Sequence, residues 1–236
     1  MPAKHSRKIY VENGFYHIYN RGVEKRLIFL DEQDYATFLS YLKFYLLPKE
    51  VTITAIQKDT NLRNREKNRK LLIVSQLENF HQIITLISLV LMPNHFHLQL
   101  RQQDARTIDR FMKSLQVKYA MYFNKKYKRV GSLFQGKYKG ILIDREDYFL
   151  HISSYIHRNP LEMLKNSESL EDYPYSSYPA YLGKKKIDWL DTAPILSYFK
   201  SFQDTLGVKN YQQFVEGYDF ENNFQNHEIG RLLIDL

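Results

Sequence analysis

The 236-residue sequence contains no cysteine. That excludes a disulfide framework, a thiolate metal site and a cysteine nucleophile. Long apolar runs are also missing. The longest, Ile83 to Met92, is too short to cross a bilayer. The N-terminal segment MPAKHSRKIY carries basic residues with no apolar stretch behind them, so it is not expected to be a signal peptide. No internal repeat is visible, and tryptophan occurs once. A reducing, cytoplasmic setting and no membrane partner are expected.

Hydrophobic residues make up 44% of the chain, enough for a globular core and too many for a disordered protein. The length suits one large domain or a domain with an appendage. Lys and Arg number 34 against 26 Asp and Glu, a formal charge of +8. A basic field attracts phosphate, so an anionic partner is favoured.

FYHIYNR, from Phe15 to Arg21, has strand composition and stops at Gly22. Tyr35, Phe38, Leu39, Leu42 and Leu46 recur at helical spacing behind Asp31, a candidate cap, and Pro48 ends that helix. Val51, Ile53 and Ala55 alternate with threonines as in a short strand, and the charged run 58–70 reads as a solvated loop. Ile83 to Leu91 reads as a buried central strand, Met92-Pro93-Asn94 as a turn, and His95 to Leu100 as the returning strand. A long helix follows from Asp104 or Thr107 and stops at Gly131, and Leu133 to Ile143 reads as the last strand. A further helix, capped by Asp144, ends before Pro160. Weak helical patterns return near 193–202 and 208–216. This order predicts an α+β fold with an antiparallel sheet covered by helices.

His95 and His97 sit two apart on a predicted strand, so the pleat sends both imidazoles to one face and Phe96 to the other. Side by side they form a platform for a divalent metal. On the later helix, Tyr148, Ile152, Tyr155 and Asn159 share a face. The Asn159 amide oxygen can complete a metal site with the two histidines and place the Tyr155 hydroxyl beside it. Such a site leaves positions open for a phosphate on Mg²⁺ or Mn²⁺. The competing reading makes Tyr155 a core residue with a hydrogen-bonded hydroxyl and Asn159 a helix C-terminal residue. His151 is a spare candidate ligand or acid–base group, and His157, off the shared face, is expected to be solvated.

Four segments together, FYHIYNRG (15–22), VLMPNHFHLQL (90–100), MYFNKKYKRVGSLFQGKYKGILI (121–143) and YIHRNP (155–160), resemble the REP-associated tyrosine transposases of the HUH endonuclease superfamily. The resemblance runs from about Gly14 to Leu182. It implies a ferredoxin-like catalytic domain, a histidine pair at His95 and His97, a nucleophile at Tyr155 and a third ligand at Asn159. It also implies metal-dependent cutting and rejoining of single-stranded DNA, often at hairpins. On this reading residues 1–165 form the catalytic domain, with an insertion at about 48–80, and residues 166–236 form a C-terminal extension. The expected state is a monomer or homodimer.

The basic residues Arg21, Lys125, Lys126, Lys128, Arg129, Lys137 and Lys139, with the interleaved Tyr138, are expected to hold DNA phosphates and stack on unpaired bases. His17 and Asn20 are weaker candidates, and the GKKK run (183–186) is either a backbone contact or a soluble loop. Three rivals remain: a non-catalytic nucleic-acid-binding module of the same fold, an HUH replication initiator or relaxase, and an RNA-binding or structural ferredoxin-like domain.

Overall fold

A computed structural model describes residues 9–165, 168–201 and 210–217. Among the described residues the strands are β1 (Phe15–Arg21), β2 (Ile84–Met92), β3 (His95–Gln102) and β4 (Lys139–Ile143). They form one antiparallel sheet in the order β2-β3-β1-β4. Helix α1 (Glu32–Leu46) lies between β1 and β2 in sequence, and α4 (Thr107–Lys126) between β3 and β4. This is the ferredoxin-like arrangement.

Strand alternation divides the sheet. Tyr16, Ile18, Phe96, Leu98 and Leu100 face α1 and α4, where Phe38, Leu42, Phe111, Leu115 and Tyr119 close the main core. The opposite face is covered by α5 (Glu146–Arg158), which packs Tyr148, Ile152 and Ile156 against Val90, Met92 and Ile143. Asp31 caps α1 as expected, accepting from Asp34 N–H at 3.1 Å. Helix α5 has no such cap: Asp144 lies one residue too early and Arg145 takes the position.

The segment 49–76 differs from its sequence reading. It is a pair of helices, α2 (Lys49–Lys58) and α3 (Asn64–Gln76), not a strand and loop. Thr52, Ile53 and Ile56 are half-buried on α2, as are Lys67 and Leu71 on α3, with Val74 buried below them. That is a helical stripe, and a five-residue alternation could not distinguish it from a strand. The base of this hairpin is closed: the Asn79 amide donates to the carbonyls of Phe44 and Leu47, both at 2.8 Å, and Phe80 N–H donates to Tyr45. The last strand is also shorter than expected. Only Lys139–Ile143 joins the sheet, with Phe134 forming an isolated bridge to Gly22.

Among the described residues, the C-terminal part adds the short helices α6 (Tyr178–Tyr181), α7 (Ala193–Ser201) and α8 (Tyr211–Glu216). Tyr178, Tyr181, Ile195, Phe199, Tyr211 and Phe214 bury themselves with Ile87 and Leu150. The stretch before α6 runs along the outer edge of β2. Leu91 N–H donates to Tyr175, Ser177 N–H donates to Leu89, and Tyr173 Oη donates to the Leu91 carbonyl. Among the described residues no helix is long and apolar enough to cross a membrane.

Candidate active site

The site forms where the β2–β3 turn meets the end of α5. Cross-strand register sets Arg21 opposite His95 and Tyr19 opposite His97, so all four side chains rise on the α5 face. Gly22 lets β1 pass close beneath the turn. Its N–H donates to Asn94, and a Cβ there would collide with the Arg26 carbonyl. Along α5, Tyr155 and Asn159 stand one turn apart and face the histidine pair.

His95, Tyr155 and Asn159 line one open cleft of about 740 Å³, with the cations Arg21, Lys25 and Arg158 also in its wall. His97 lies one layer deeper. It is fully buried, with its ring perpendicular to those of His95 (5.1 Å between centroids) and Tyr155 (5.4 Å).

The hydrogen bonding around His95 leaves a proton deficit. Burial pushes this histidine down; the bond to Asn159 pulls the other way and the Arg21 charge adds to the fall, so the neutral form dominates. A neutral ring has one N–H. Nδ1 lies 2.6 Å from Asn94 Oδ1, and Nε2 lies 3.0 Å from Asn159 Oδ1. With the proton on Nδ1 for the shorter bond, the Nε2 lone pair faces the oxygen of Asn159 with nothing between them. His97 is also held neutral, first by burial and then by its histidine neighbours, and its Nε2 has no hydrogen-bond partner. His95 Nε2 and Asn159 Oδ1 thus face each other as acceptors, and His97 Nε2 joins them as a third whenever its ring carries the proton on Nδ1. This donor set suits a divalent cation and leaves the cation's charge for an anionic ligand. The Tyr155 phenol is pushed up by burial, against a hydrogen bond from Asn159, so it is protonated at neutral pH.

The other expected contacts divide. Arg21 lines the cleft, and its guanidinium hydrogen-bonds Gln135. Lys125, Lys128, Lys137 and Lys139 are exposed. Tyr138 is 5% exposed and is bonded to Asp109 and Tyr10, so it cannot stack on a base. Lys126 is taken up by Asp31 and Asp34 at 2.7 and 2.8 Å. Arg129 is half-buried against Phe123 and bonded to Asn124. His157 is not solvated but fully buried, between Tyr211 Oη at 2.6 Å and Ser177 Oγ at 2.7 Å. Lys25 and Arg158 in the cleft wall were not singled out from sequence; Arg158 sits inside the YIHRNP motif.

No curated protein matches the chain. The structure of a REP-associated tyrosine transposase bound to a REP hairpin aligns at 16% identity and a TM-score of 0.44, covering 80% of this chain and 93% of that one. A transposase candidate from Deinococcus radiodurans R1 aligns at 16% identity and a TM-score of 0.34, covering 67% of this chain and 97% of that one. The profile of the family described as "Transposase IS200 like" matches residues 50–159, a span that holds His95, His97, Tyr155 and Asn159. Over that span, just under half of its length, the chain is similar to the IS200-like transposases.

Proposed function

We propose that this chain cuts and rejoins single-stranded DNA through a covalent link to Tyr155. The observation that carries the reading is the convergence of His95 Nε2 and Asn159 Oδ1 in the cleft that also holds the Tyr155 ring. His95, His97 and Asn159 would hold a divalent cation of the Mg²⁺ or Mn²⁺ class. When bound, the cation polarises the scissile phosphate and eases ionisation beside it.

The rest falls to the protein. Arg21, Lys25 and Arg158 draw the DNA backbone into the cleft, and the exposed Lys125, Lys128, Lys137 and Lys139 extend the field that attracts it. Asn159 steadies the phenol through its hydrogen bond. The Tyr155 oxygen attacks phosphorus in line, forming the phosphotyrosine bond as the P–O3′ bond breaks. The phenol loses its proton, and the departing 3′ oxygen gains one. The phosphoester is conserved, so a second 3′ hydroxyl can reverse the step and join a new strand. Hairpin DNA is the proposed substrate, in keeping with the hairpin bound by the REP-associated transposase above.

The test is incubation with labelled single-stranded hairpin DNA and Mn²⁺, followed by a denaturing gel. A covalent adduct is expected, absent in Tyr155→Phe and in His95→Ala. Undiminished adduct in Tyr155→Phe overturns the nucleophile. DNA retained but never cut, with any divalent metal, replaces the reading with a binding module of the same fold.

A further inference from the structure

His17 lies on β1, outside the set of residues assigned above, and is fully buried. Its ring stacks on His97 with 5.0 Å between centroids and 17° between planes, and on Tyr19 at 5.0 Å. It meets Tyr155 edge-on at 6.0 Å. Its Nε2 is 2.8 Å from His97 Nδ1, and its own Nδ1 has no partner. A phenylalanine could fill the same space without desolvating two ring nitrogens.

Two neutral imidazoles joined by one hydrogen bond have two proton arrangements. If His17 Nε2–H donates, His97 must carry its proton on Nε2, the atom that would bind a cation. If His97 Nδ1–H donates, the His97 Nε2 lone pair is free. Each arrangement leaves one N–H unpaired, so hydrogen bonding within the protein does not choose between them. A cation on His97 does. It selects the second, and His17 then carries its proton on Nδ1.

We infer that His17 is a positioning residue for the cation site: its Nε2 accepts the Nδ1–H of His97 and fixes that ring with a ligating lone pair. The inference rests on the metal reading proposed above, and it concerns the strength and geometry of binding rather than the chemistry. Partners of this kind typically matter by 10–100-fold in metal affinity.

Calorimetry with Mn²⁺ alone, without DNA, tests it. His17→Phe, which keeps a ring and loses the acceptor, is expected to bind Mn²⁺ about 10–100-fold more weakly. His17→Gln, whose amide oxygen can take the same N–H, is expected to recover most of the loss. Unchanged affinity in His17→Phe, or no recovery in His17→Gln, overturns the inference. A second measurement needs no variant. The ¹⁵N spectrum of the Mg²⁺-loaded protein should show the His17 proton on Nδ1, and a proton on Nε2 overturns the inference. If the unmutated protein takes up no Mn²⁺, the metal assignment itself falls and the inference falls with it. That result is distinct from tight binding that ignores position 17.

Discussion

Position 157 holds an imidazole sealed from water. Burial pushes it down to about 3, against about 6.5 in an unfolded chain. Below pH 6.5 the unfolded chain therefore binds a proton that the native state refuses, and stability falls as pH falls. The loss is about 1.4 kcal/mol for each pH unit between 6.5 and 3. His17, also pushed down to about 3 by burial, adds the same slope. Denaturant unfolding at pH 7.5 and pH 5 should thus differ by roughly 4 kcal/mol from these two residues. His157→Gln should remove about half of that difference, and equal stability at both pH values would contradict the sealed sites. Asp34 acts lower on the scale. Burial raises it, but hydrogen bonds from Lys126, the Leu30 N–H and two tyrosines outweigh that and hold it below the ordinary carboxylate range. Its contribution is present above about pH 4 and is lost as pH falls through the native value.

The error at His157 has a physical source. Tyr148, Ile152 and Tyr155 mark one apolar face of α5, and His157 falls off it. That helix has a second buried face, formed by Ser153 and His157 against Tyr211 and Ser177. The partners come from the C-terminal part, Ser177 from an irregular stretch and Tyr211 from a helix whose periodicity is weak in the sequence. The proposed ligands and nucleophile were legible for the opposite reason: spacings of two on a strand and four on a helix dictate shared faces.

Among elements, those that touch the main core were readable from apolar period alone. Strands β1, β2 and β3 and helix α1 lie within a residue or two of their expected bounds, and α4 starts at Thr107 as expected but ends at Lys126, short of the expected stop at Gly131. The α2–α3 hairpin was not, because a pair of helices that buries only Val74 shows little amphipathic contrast. The same shallow burial makes it separable. Asn79 ties the carbonyls of Phe44 and Leu47 at the hairpin's base, so the chain ends on either side already meet. Replacing residues 49–76 by a short Gly/Ser linker should preserve the fold and shift stability by about 1 kcal/mol or less. Thermal unfolding checks this, and loss of cooperative melting would show that the hairpin is part of the core. Covalent adduct formation on single-stranded DNA should survive the excision, because none of the cleft residues lies in that segment.

At the scale of the whole molecule, the C-terminal segment and the sheet share backbone as well as side chains. Strand β2 is the most apolar of the four, and seven of its nine residues in sequence, from Leu86 to Met92, are buried. Its inner edge pairs with β3, and residues 173–177 occupy its outer edge. Farther along the same edge, the Ile87 and Leu86 carbonyls accept from Tyr181 Oη and the Asp191 N–H.

That covering has a consequence for solubility. A bare, greasy outer strand is a template on which another molecule's strand can add, and chains meeting in this way polymerise. The segment after α5 covers that edge with a neighbour from the same polypeptide. A version ending at residue 165 should scatter light and elute as large particles at concentrations where the full chain stays dispersed. That outcome would give residues 173–191 a role in keeping molecules apart, independent of any contact with DNA.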